Sequence, residues 1–318
     1  KLRWALVIIA GVAALLAFGM YRGLTAELWD VIGRPARYLS NFQKIYYSIQ
    51  LNQAKDEIIA PNAAMSGREI LTVNDNDTPQ SVASRAELYG IVSDRDLFLK
   101  YLIYRGIDRQ IVPSRYVIPE GSSLKDVADA LLSPEQRLMQ FGVLAGLRLE
   151  EIADALPAYG LNVEPAEFLE SARNYPREKH PTGGTSLEGF ILSGQYLVHQ
   201  TIMAEAFLDG MVQSFNDAVT PEIREGLARQ GLTLEQGVIL ASMVTREAVW
   251  TSEMSLIASV YVNRYHAGMK YQCDPTVQYA LGYNEASGWW KPDLTVDDLA
   301  VASPYNTYVV DGLPPTAI

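Results

Sequence analysis

The longest apolar run of the chain lies at its beginning. Residues 4–21 carry no charged side chain, whereas Arg3 precedes the run and Arg22 follows it. As a helix the run would be roughly 27 Å long, close to the thickness of the hydrocarbon core of a bilayer. Trp4 and Tyr21 stand at its two ends, where aromatic side chains meet the headgroups. The pattern predicts a transmembrane helix.

Residues 1–22 are therefore interpreted as a membrane anchor. Basic residues favour the cytoplasmic side, so Lys1 and Arg3 place the long remainder of the chain outside the cytoplasm. A cleaved signal peptide is the alternative, but its apolar region is usually shorter and a cleavage site with small residues follows it. Only the weak Leu24-Thr25-Ala26 is available here. We expect a single-pass cell-membrane protein with an extracytoplasmic folded part.

Two segments with different patterns follow this anchor. Residues 23–66 alternate aromatic and polar side chains and are interpreted as a helical spacer. A membrane-surface amphipathic helix is the alternative, but the segment carries acidic as well as basic residues. Residues 67–140 have the order strand, helix, helix, strand, helix, which predicts a small α+β module. Thr78 and Pro79 mark the start of its first helix as the N-cap and the first helical residue.

Residues 141–318 continue with apolar periodicities typical of helices and a few strands, and we expect a mixed α+β domain. The expected elements from residue 67 onward are strands at Arg68–Val73, Ser114–Pro119 and Met139–Val143, and helices at Asp94–Tyr104, Ser122–Leu132, Leu147–Leu156, Glu164–Arg173, Glu205–Phe215 and Pro221–Gln230. The predicted fold class is thus α+β throughout, behind an N-terminal transmembrane helix.

Composition narrows the class of protein. The 318 residues are 48% hydrophobic and 20% charged, as in globular chains of up to two modest domains. A net charge of −11 argues against a nucleic-acid partner, because phosphates require a basic surface. The single cysteine, Cys273, cannot form an intrachain disulfide, and the three histidines lack metal-ligand spacing. We expect neither a metal nor a cofactor.

One carboxylate stands out on a largely apolar helix predicted over residues 237–247. Its apolar positions repeat at i, i+3 and i+4: Leu234, Gly237, Val238, Ala241, Val244 and Ala248. Glu247 follows Val244 by three residues and therefore lies on or beside that stripe. A carboxyl on an apolar face tends to have a raised pKa, as a general acid requires near neutral pH. The alternative is a glutamate that extends to solvent.

The residues around this helix supply further polar groups. Thr233 and Gln236 form a capping box at its start, and the next helix is expected at Glu253–Ala267, ending at Gly268. Asp274 before Pro275 is either an N-cap or a catalytic group. Further on, Trp289 and Trp290 are candidates for stacking on sugars or for a core or lid role. The loop at 303–315 is dense in donors and acceptors and suits a hydroxyl-rich ligand.

These blocks, in their order, closely resemble the YceG-like endolytic murein transglycosylases. The matching blocks are Leu240–Glu247, Ala258–Arg264, Gly268–Tyr279, Tyr305–Tyr308 and Gly312–Pro315, with Leu187–Phe190 and Tyr196 upstream. The string Arg115–Leu124 also resembles LysM-like modules of cell-wall proteins, although a packing module without glycan contact is an equal alternative. The resemblance implies an anchor at 1–22, a spacer at 23–66, a LysM-like module at 67–140 and a catalytic domain at 141–318. Because the family continues beyond Pro315, we expect a truncated C-terminus.

The resemblance implies a function and a site. The residue matching Glu247 is the family's acid/base, cleaving the bond between N-acetylmuramic acid and N-acetylglucosamine of nascent glycan strands to give 1,6-anhydro ends. The expected substrate-binding residues are Asn263, Asp274, Thr276, Tyr305, Asn306, Tyr308, Glu188 and Tyr196. The family suggests peptidoglycan synthases as partners. Two departures occur: Thr245 replaces an acidic or amide residue, and Ser193-Gly194-Gln195 replaces Pro-Asp-Thr.

Two other functions remain open at this point. A hydrolytic muramidase would use Glu247 together with Asp274 or Glu188, since ordinary glycosidases need two carboxylates. An inactive, membrane-tethered glycan-binding scaffold would be consistent with the altered Ser193–Gln195 motif. The products separate these readings, because hydrolysis adds water and transglycosylation does not.

Overall fold

The computed structural model describes residue 23 and residues 26–318, so the predicted transmembrane run at 4–21 lies outside the described residues. Within the described part of the chain, no helix combines the length and the apolar character needed to cross a bilayer. The chain divides into two compact units, and the boundary between them along the sequence falls between Met139 and Gln140. Each unit is described separately below.

The first unit packs helices against a small antiparallel sheet. Its elements, after a helical segment at residues 26–32, are α1 (Asn41–Gln53), α2 (Lys55–Ile59), β1 (Glu69–Val73), α3 (Pro79–Leu88), α4 (Arg95–Arg105), β2 (Ser114–Ile118), α5 (Leu124–Ala130) and the start of β3 (Arg137–Val143). Strand β2 pairs antiparallel with β1, from Glu69 opposite Ile118 to Val73 opposite Ser114, and also with β3. The predicted order of strand, helix, helix, strand is confirmed, as are Thr78 as the N-cap of α3 and Pro79 as its first residue.

The core of this unit includes the segment that was expected to be a spacer. Leu28, Ile32, Leu51 and Ile58 are fully buried in the same hydrophobic cluster as the sheet and its helices. Apolar burial of this extent stabilises an element as part of a domain. Residues 26–66 are therefore an integral layer of the first unit. Glycan binding by the LysM-like string remains a prediction.

The second unit is mainly helical. Its elements are the end of β3, α6 (Leu149–Ala155), α7 (Pro165–Arg173), β4 (Gly194–His199), α8 (Ala204–Ala218), α9 (Pro221–Arg229), α10 (Leu234–Glu247), α11 (Met254–Ala267), α12 (Asp274–Leu281) and α13 (Val296–Leu299). Strand β4 lies beside β3. The overall class is mixed α+β, as predicted.

Helix α10 forms where the sequence predicts it, but most of the residues that it buries in the core are not the predicted ones. Thr233 accepts a hydrogen bond from the backbone of Gln236, whose side chain accepts in turn from Thr233, which completes the capping box. The residues buried on the helix are Ile239, Leu240, Met243 and Val244, whereas Ala241 is exposed. The predicted stripe was thus wrong in phase. Glu247 still follows the buried Val244 by three residues and lies at the edge of the true core face.

Two helix ends were predicted from the sequence: the C-terminal end of α11 and the N-terminal end of α12. Gly268 ends α11 in the left-handed conformation (φ 63°), as expected of a C-terminal glycine. The N-cap of α12 is Cys273, whose side chain makes no capping hydrogen bond, and Asp274 is the first helical residue rather than the N-cap. The carboxylate of Asp274 is therefore free for another partner.

Candidate active site

Glu247 is the last residue of α10, and its side chain is exposed. The C-terminal end of a helix carries partial negative charge, so this position disfavours an ionised carboxylate. Removal of solvent by the surrounding protein raises the pKa of Glu247, and the negative charge of Asp274 raises it further. The carboxyl is therefore accessible to a ligand and holds its proton at higher pH than an ordinary glutamate.

A buried thiol contacts this carboxyl. Cys273 Sγ lies 4.0 Å from Glu247 Oε2, and the thiol is 1% exposed. Burial raises the pKa of the Cys273 thiol to about 12, so it is neutral at physiological pH. The hydroxyl of Tyr261 on α11 is hydrogen-bonded to the same thiol. Cys273 and Tyr261 thus form a neutral, weakly polar wall on one side of Glu247.

A second carboxylate and a phenol complete this group. Tyr308 donates a hydrogen bond of 2.6 Å from its hydroxyl to Oδ1 of Asp274, which is exposed. Partial burial, followed by the hydrogen bond to Asp274, raises the pKa of Tyr308 to about 12, and the charge of Glu247 acts in the same direction. Glu247, Cys273, Asp274 and Tyr308 therefore lie together, on α10, at the start of α12 and on the loop after α13.

The predicted residues Thr276 and Asn306 are fully buried and hold the loop rather than face solvent. Thr276 Oγ1 donates to the Cys273 carbonyl (2.6 Å) and lies 2.9 Å from Thr307 Oγ1. Thr307 Oγ1 in turn accepts from the Cys273 amide at 3.0 Å. The amide of Asn306 donates to the carbonyls of Leu299 and Val301. In this conformation these side chains position Cys273 and Tyr308 and cannot touch a sugar directly.

Glu188 is buried too, at 5% exposure. It accepts hydrogen bonds from the Leu149 amide (3.3 Å) and the Tyr279 hydroxyl (3.1 Å). Burial raises the pKa of Glu188 to about 7, and the nearby charge of Glu150 adds to the effect. This carboxyl braces the loop before Phe190 against α6 and α12, and neither a nucleophile nor a sugar contact is expected of it in this conformation.

The remaining predicted residues differ in their surroundings. Tyr305 is half-buried, stacks on Tyr279 (4.8 Å between ring centroids) and lies 2.9 Å from Thr316 through its hydroxyl. The hydroxyl of Tyr196 on β4 donates to the Leu192 carbonyl, and its ring packs on α8. Asn263 is exposed on α11, two residues and hence about 200° around the helix from Tyr261. The structure does not bring Tyr196 or Asn263 to Glu247.

A cluster of arginines and tryptophans was missed in the sequence. The Arg246 guanidinium lies 3.6 Å from the centroid of Trp290, whose indole N–H donates to Glu151 (2.9 Å). Arg148 lies over Trp289 (4.6 Å) and Tyr279 (3.9 Å). Such stacked pairs stabilise by about 0.5–1 kcal/mol at exposed sites and by about 2 kcal/mol when desolvated. They fix the end of α10 beside Glu247. Only the adjacent tryptophans gave a signal, and the structure uses them for packing.

The two departures from the family pattern lie together. Ser193 and Thr245 line one cavity of about 210 Å³, whose wall includes Val238 and Ala241, the predicted core stripe of α10. Thr245 is two residues from Glu247 and therefore faces nearly the opposite side of the helix. Thr245 and Ser193 therefore line a cavity on a different side of α10 from Glu247. Among the described residues, no group of three or more His, Cys, Asp or Glu side chains could hold a metal ion.

The fold and the site together define a class of protein. It is an α+β domain in which the carboxyl of Glu247, accessible and with a raised pKa, lies at the end of a helix that neighbouring loops hold in place. The sequence model of the YceG-like family matches residues 71–318. The chain belongs to the YceG-like family.

Curated relatives agree with this family. A protein of Streptococcus pneumoniae serotype 2 (strain D39 / NCTC 7466), named endolytic murein transglycosylase, is 26% identical over 231 residues, which are 70% of this chain and 40% of that protein. A protein of the same name from Bacillus subtilis (strain 168) is 28% identical over 205 residues, 63% of this chain and 51% of that protein. The chain thus spans about half the length of the curated relatives it matches.

A solved structure supports the fold alone. A crystal structure from Listeria monocytogenes, described as YceG-like, superposes with a TM-score of 0.52 at 23% identity, covering 79% of this chain and 86% of that one. The two proteins therefore share a fold over the covered part of the chain.

Proposed function

We propose that this protein is a membrane-anchored, endolytic peptidoglycan lytic transglycosylase with Glu247 as its acid and base. The observation that carries the proposal is the accessible Glu247 carboxyl, whose pKa is raised by lost solvation and by Asp274. The names of the curated relatives supply the substrate class, murein. Glycan strands of peptidoglycan are the substrate, and N-acetylmuramic acid to N-acetylglucosamine is the bond cleaved.

The first step requires a protonated carboxyl. Glu247 donates its proton to the glycosidic oxygen as the bond from that oxygen to C1 of the muramic residue breaks. Positive charge develops at C1, and the acetamido group of the same sugar stabilises it. A raised pKa keeps the proton available near neutral pH.

The second step uses the carboxylate left by the first. Ionised Glu247 removes the proton from the C6 hydroxyl while O6 bonds to C1, which closes the 1,6-anhydro ring and regenerates the acid. Protons balance over the two steps, and neither water nor a second carboxylate is consumed. The buried, neutral Cys273 thiol suits this cycle, because it adds no charge beside a group that alternates between acid and anion.

Location and partners form part of the same proposal. Residues 1–22 would anchor the enzyme in the cell membrane, with both units outside the cytoplasm, where glycan strands lie. Peptidoglycan synthases are the proposed protein partners, on the family resemblance. No nucleic acid is involved, in keeping with the net charge of −11.

Glu247→Gln tests the catalytic role. The amide keeps the shape of the side chain but cannot donate a proton to a leaving group, so we expect anhydro-product release from glycan strands to fall by at least 100-fold, a typical loss for a general acid. Glu235→Gln is the matched control, since Glu235 is an exposed glutamate on the first turn of the same helix. Undiminished release by a folded Glu247→Gln protein would refute the assignment.

One observation favours a second candidate, a hydrolytic muramidase. The charge of Asp274 acts on Glu247, so two carboxyl groups share this site as in ordinary glycosidases. In that reaction, Asp274 would act as base or nucleophile, and the product would carry one added water. Loss of all turnover in Asp274→Asn would favour this candidate.

A further inference from the structure

Helix α1 turns its apolar face outward. Only Ser48 and Leu51 are buried on it. Phe42 is 79% exposed, and Ile45, Tyr46 and Ile49 are between 41% and 49% exposed. These four residues follow the i, i+3, i+4, i+7 spacing of a helix face, which soluble domains normally bury. The first unit therefore displays a continuous apolar stripe with no covering element among the described residues.

A basic cavity lies close to the start of this helix. Its volume is about 490 Å³, and its lining residues are Arg34, Pro35, Ala36, Arg37, Tyr38, Arg105, Gly106 and Gln110. Three of these eight residues are arginines and none is acidic, in a chain whose net charge is −11. Arg34 and Arg37 are exposed. The cavity is thus a local concentration of positive charge.

Tyrosines connect the cavity to the stripe. Tyr38 lines the cavity, and Arg109 lies 3.7 Å from its ring centroid. The Tyr38 hydroxyl donates a 2.6 Å hydrogen bond to Asp108. Burial raises the pKa of Tyr47, and the neighbouring Tyr46 and then the charge of Asp108 raise it further. Tyr47 packs edge-on against Tyr46 of the stripe, at 5.3 Å. Arginines, tyrosines and apolar side chains therefore form one surface, called here the α1 surface. Its residues are Arg34, Arg37, Tyr38, Phe42, Ile45, Tyr46, Ile49 and Arg109.

We propose that the α1 surface docks onto an anionic phospholipid bilayer. The apolar stripe would enter the boundary between headgroups and acyl chains, with the helix lying in the membrane plane. Tyrosines would lie at the headgroup level, where amphipathic rings are favoured. Arg34, Arg37 and Arg109 would contact lipid phosphates, each contributing about a five-fold gain in binding. A symmetric dimer through this surface would bring the same arginines of the two copies together, so like charge favours anionic lipid over a second copy.

Spin labels on the full chain test this docking without any turnover, so the result is independent of the proposed enzyme activity. One label replaces Phe42 (Phe42→Cys) and a control label replaces Leu88 (Leu88→Cys), which is equally exposed at 79%. The native Cys273 is 1% exposed and should remain unlabelled. Labelling of the protein without an added cysteine checks this. The protein is combined with vesicles of phosphatidylcholine alone or mixed equally with phosphatidylglycerol.

We expect the label at 42 to be accessible to oxygen and shielded from a water-soluble nickel complex in the anionic vesicles, and the label at 88 to behave as in water. Water-like behaviour of both labels would overturn the proposal. Shielding of label 42 from both reagents would also overturn it, since this result indicates a protein partner or a second copy.

The arginines have their own control. The double variant Arg34→Gln/Arg37→Gln should weaken membrane docking, as reported by label 42, by about 25-fold. The control variant Arg177→Gln/Arg224→Gln, which changes two exposed arginines of the second unit, should leave docking unchanged. The proposal would be contradicted if label 42 were immersed to the same extent in neutral and in anionic vesicles. Equal immersion of this label in the two arginine variants would contradict it as well, because either result would show that the surface does not recognise phosphatidylglycerol.

Discussion

Glu247 acquires its chemistry from three neighbours that differ in charge and polarity. The Cys273 thiol is neutral and buried, and it replaces water on one side of the carboxyl. Asp274 adds a negative charge that opposes ionisation, and Tyr308 holds Asp274 in place. Loss of water and a like charge act in the same direction, so the site favours the protonated acid that glycosidic cleavage requires.

Asp274→Asn separates these two effects. The variant removes the like charge, so the pKa of Glu247 should fall toward its ordinary value. A general acid loses activity as pH rises through its pKa, and the alkaline limb of the pH–kcat/KM profile should therefore move to lower pH. Activity at acidic pH should be largely retained. An unmoved alkaline limb would show that Asp274 does not tune Glu247.

At the scale of elements, the site depends on braces between helices and loops. Glu188 links the start of α6 to α12 through Leu149 and Tyr279, and Tyr279 stacks on Tyr305 of the loop that carries Tyr308. Arg246 and Trp290 fix the end of α10. Residues that resemble substrate ligands in the sequence are thus partly structural.

Glu188→Gln tests this brace through the pH dependence of stability. The pKa of Glu188 is about 7 in the folded protein and about 4.5 when unperturbed. Between these values the folded state binds more protons than the unfolded state, so stability falls as pH rises, by about 3 kcal/mol in total. The uncharged glutamine should remove this fall, as followed by denaturant unfolding at several pH values. Parallel curves for wild type and variant would contradict the prediction, and Glu235→Gln serves as the control.

Local signals predicted most elements but not how they face one another. Capping boxes and terminal glycines depend on neighbouring residues, so Thr233, Thr78 and Gly268 mark their helix ends correctly. The core face of α10 was misassigned because small residues such as Ala241 fit both an apolar face and a cavity wall. The burial of Thr276 and Asn306 could not be predicted, since it depends on partners about 30 residues away or on the path of a loop.

At the scale of the whole molecule, the two units carry different parts of the proposal. The first unit includes residues expected to be a spacer and presents the α1 surface. The second unit holds Glu247 and its neighbours, and the family model extends over both, from residue 71 to 318. Leu28 and Leu51 are buried by residues far away in the sequence. Their amphipathic spacing is the only local signal, so the sequence alone could not predict which surface they pack against.

The central claim is that cleavage proceeds without water. Mass spectrometry of the ends released from uncrosslinked glycan strands by the wild-type enzyme tests it most directly. The account predicts 1,6-anhydro-muramic ends with no change in total mass between strand and products. Products that are heavier by one water would contradict it and identify a hydrolase.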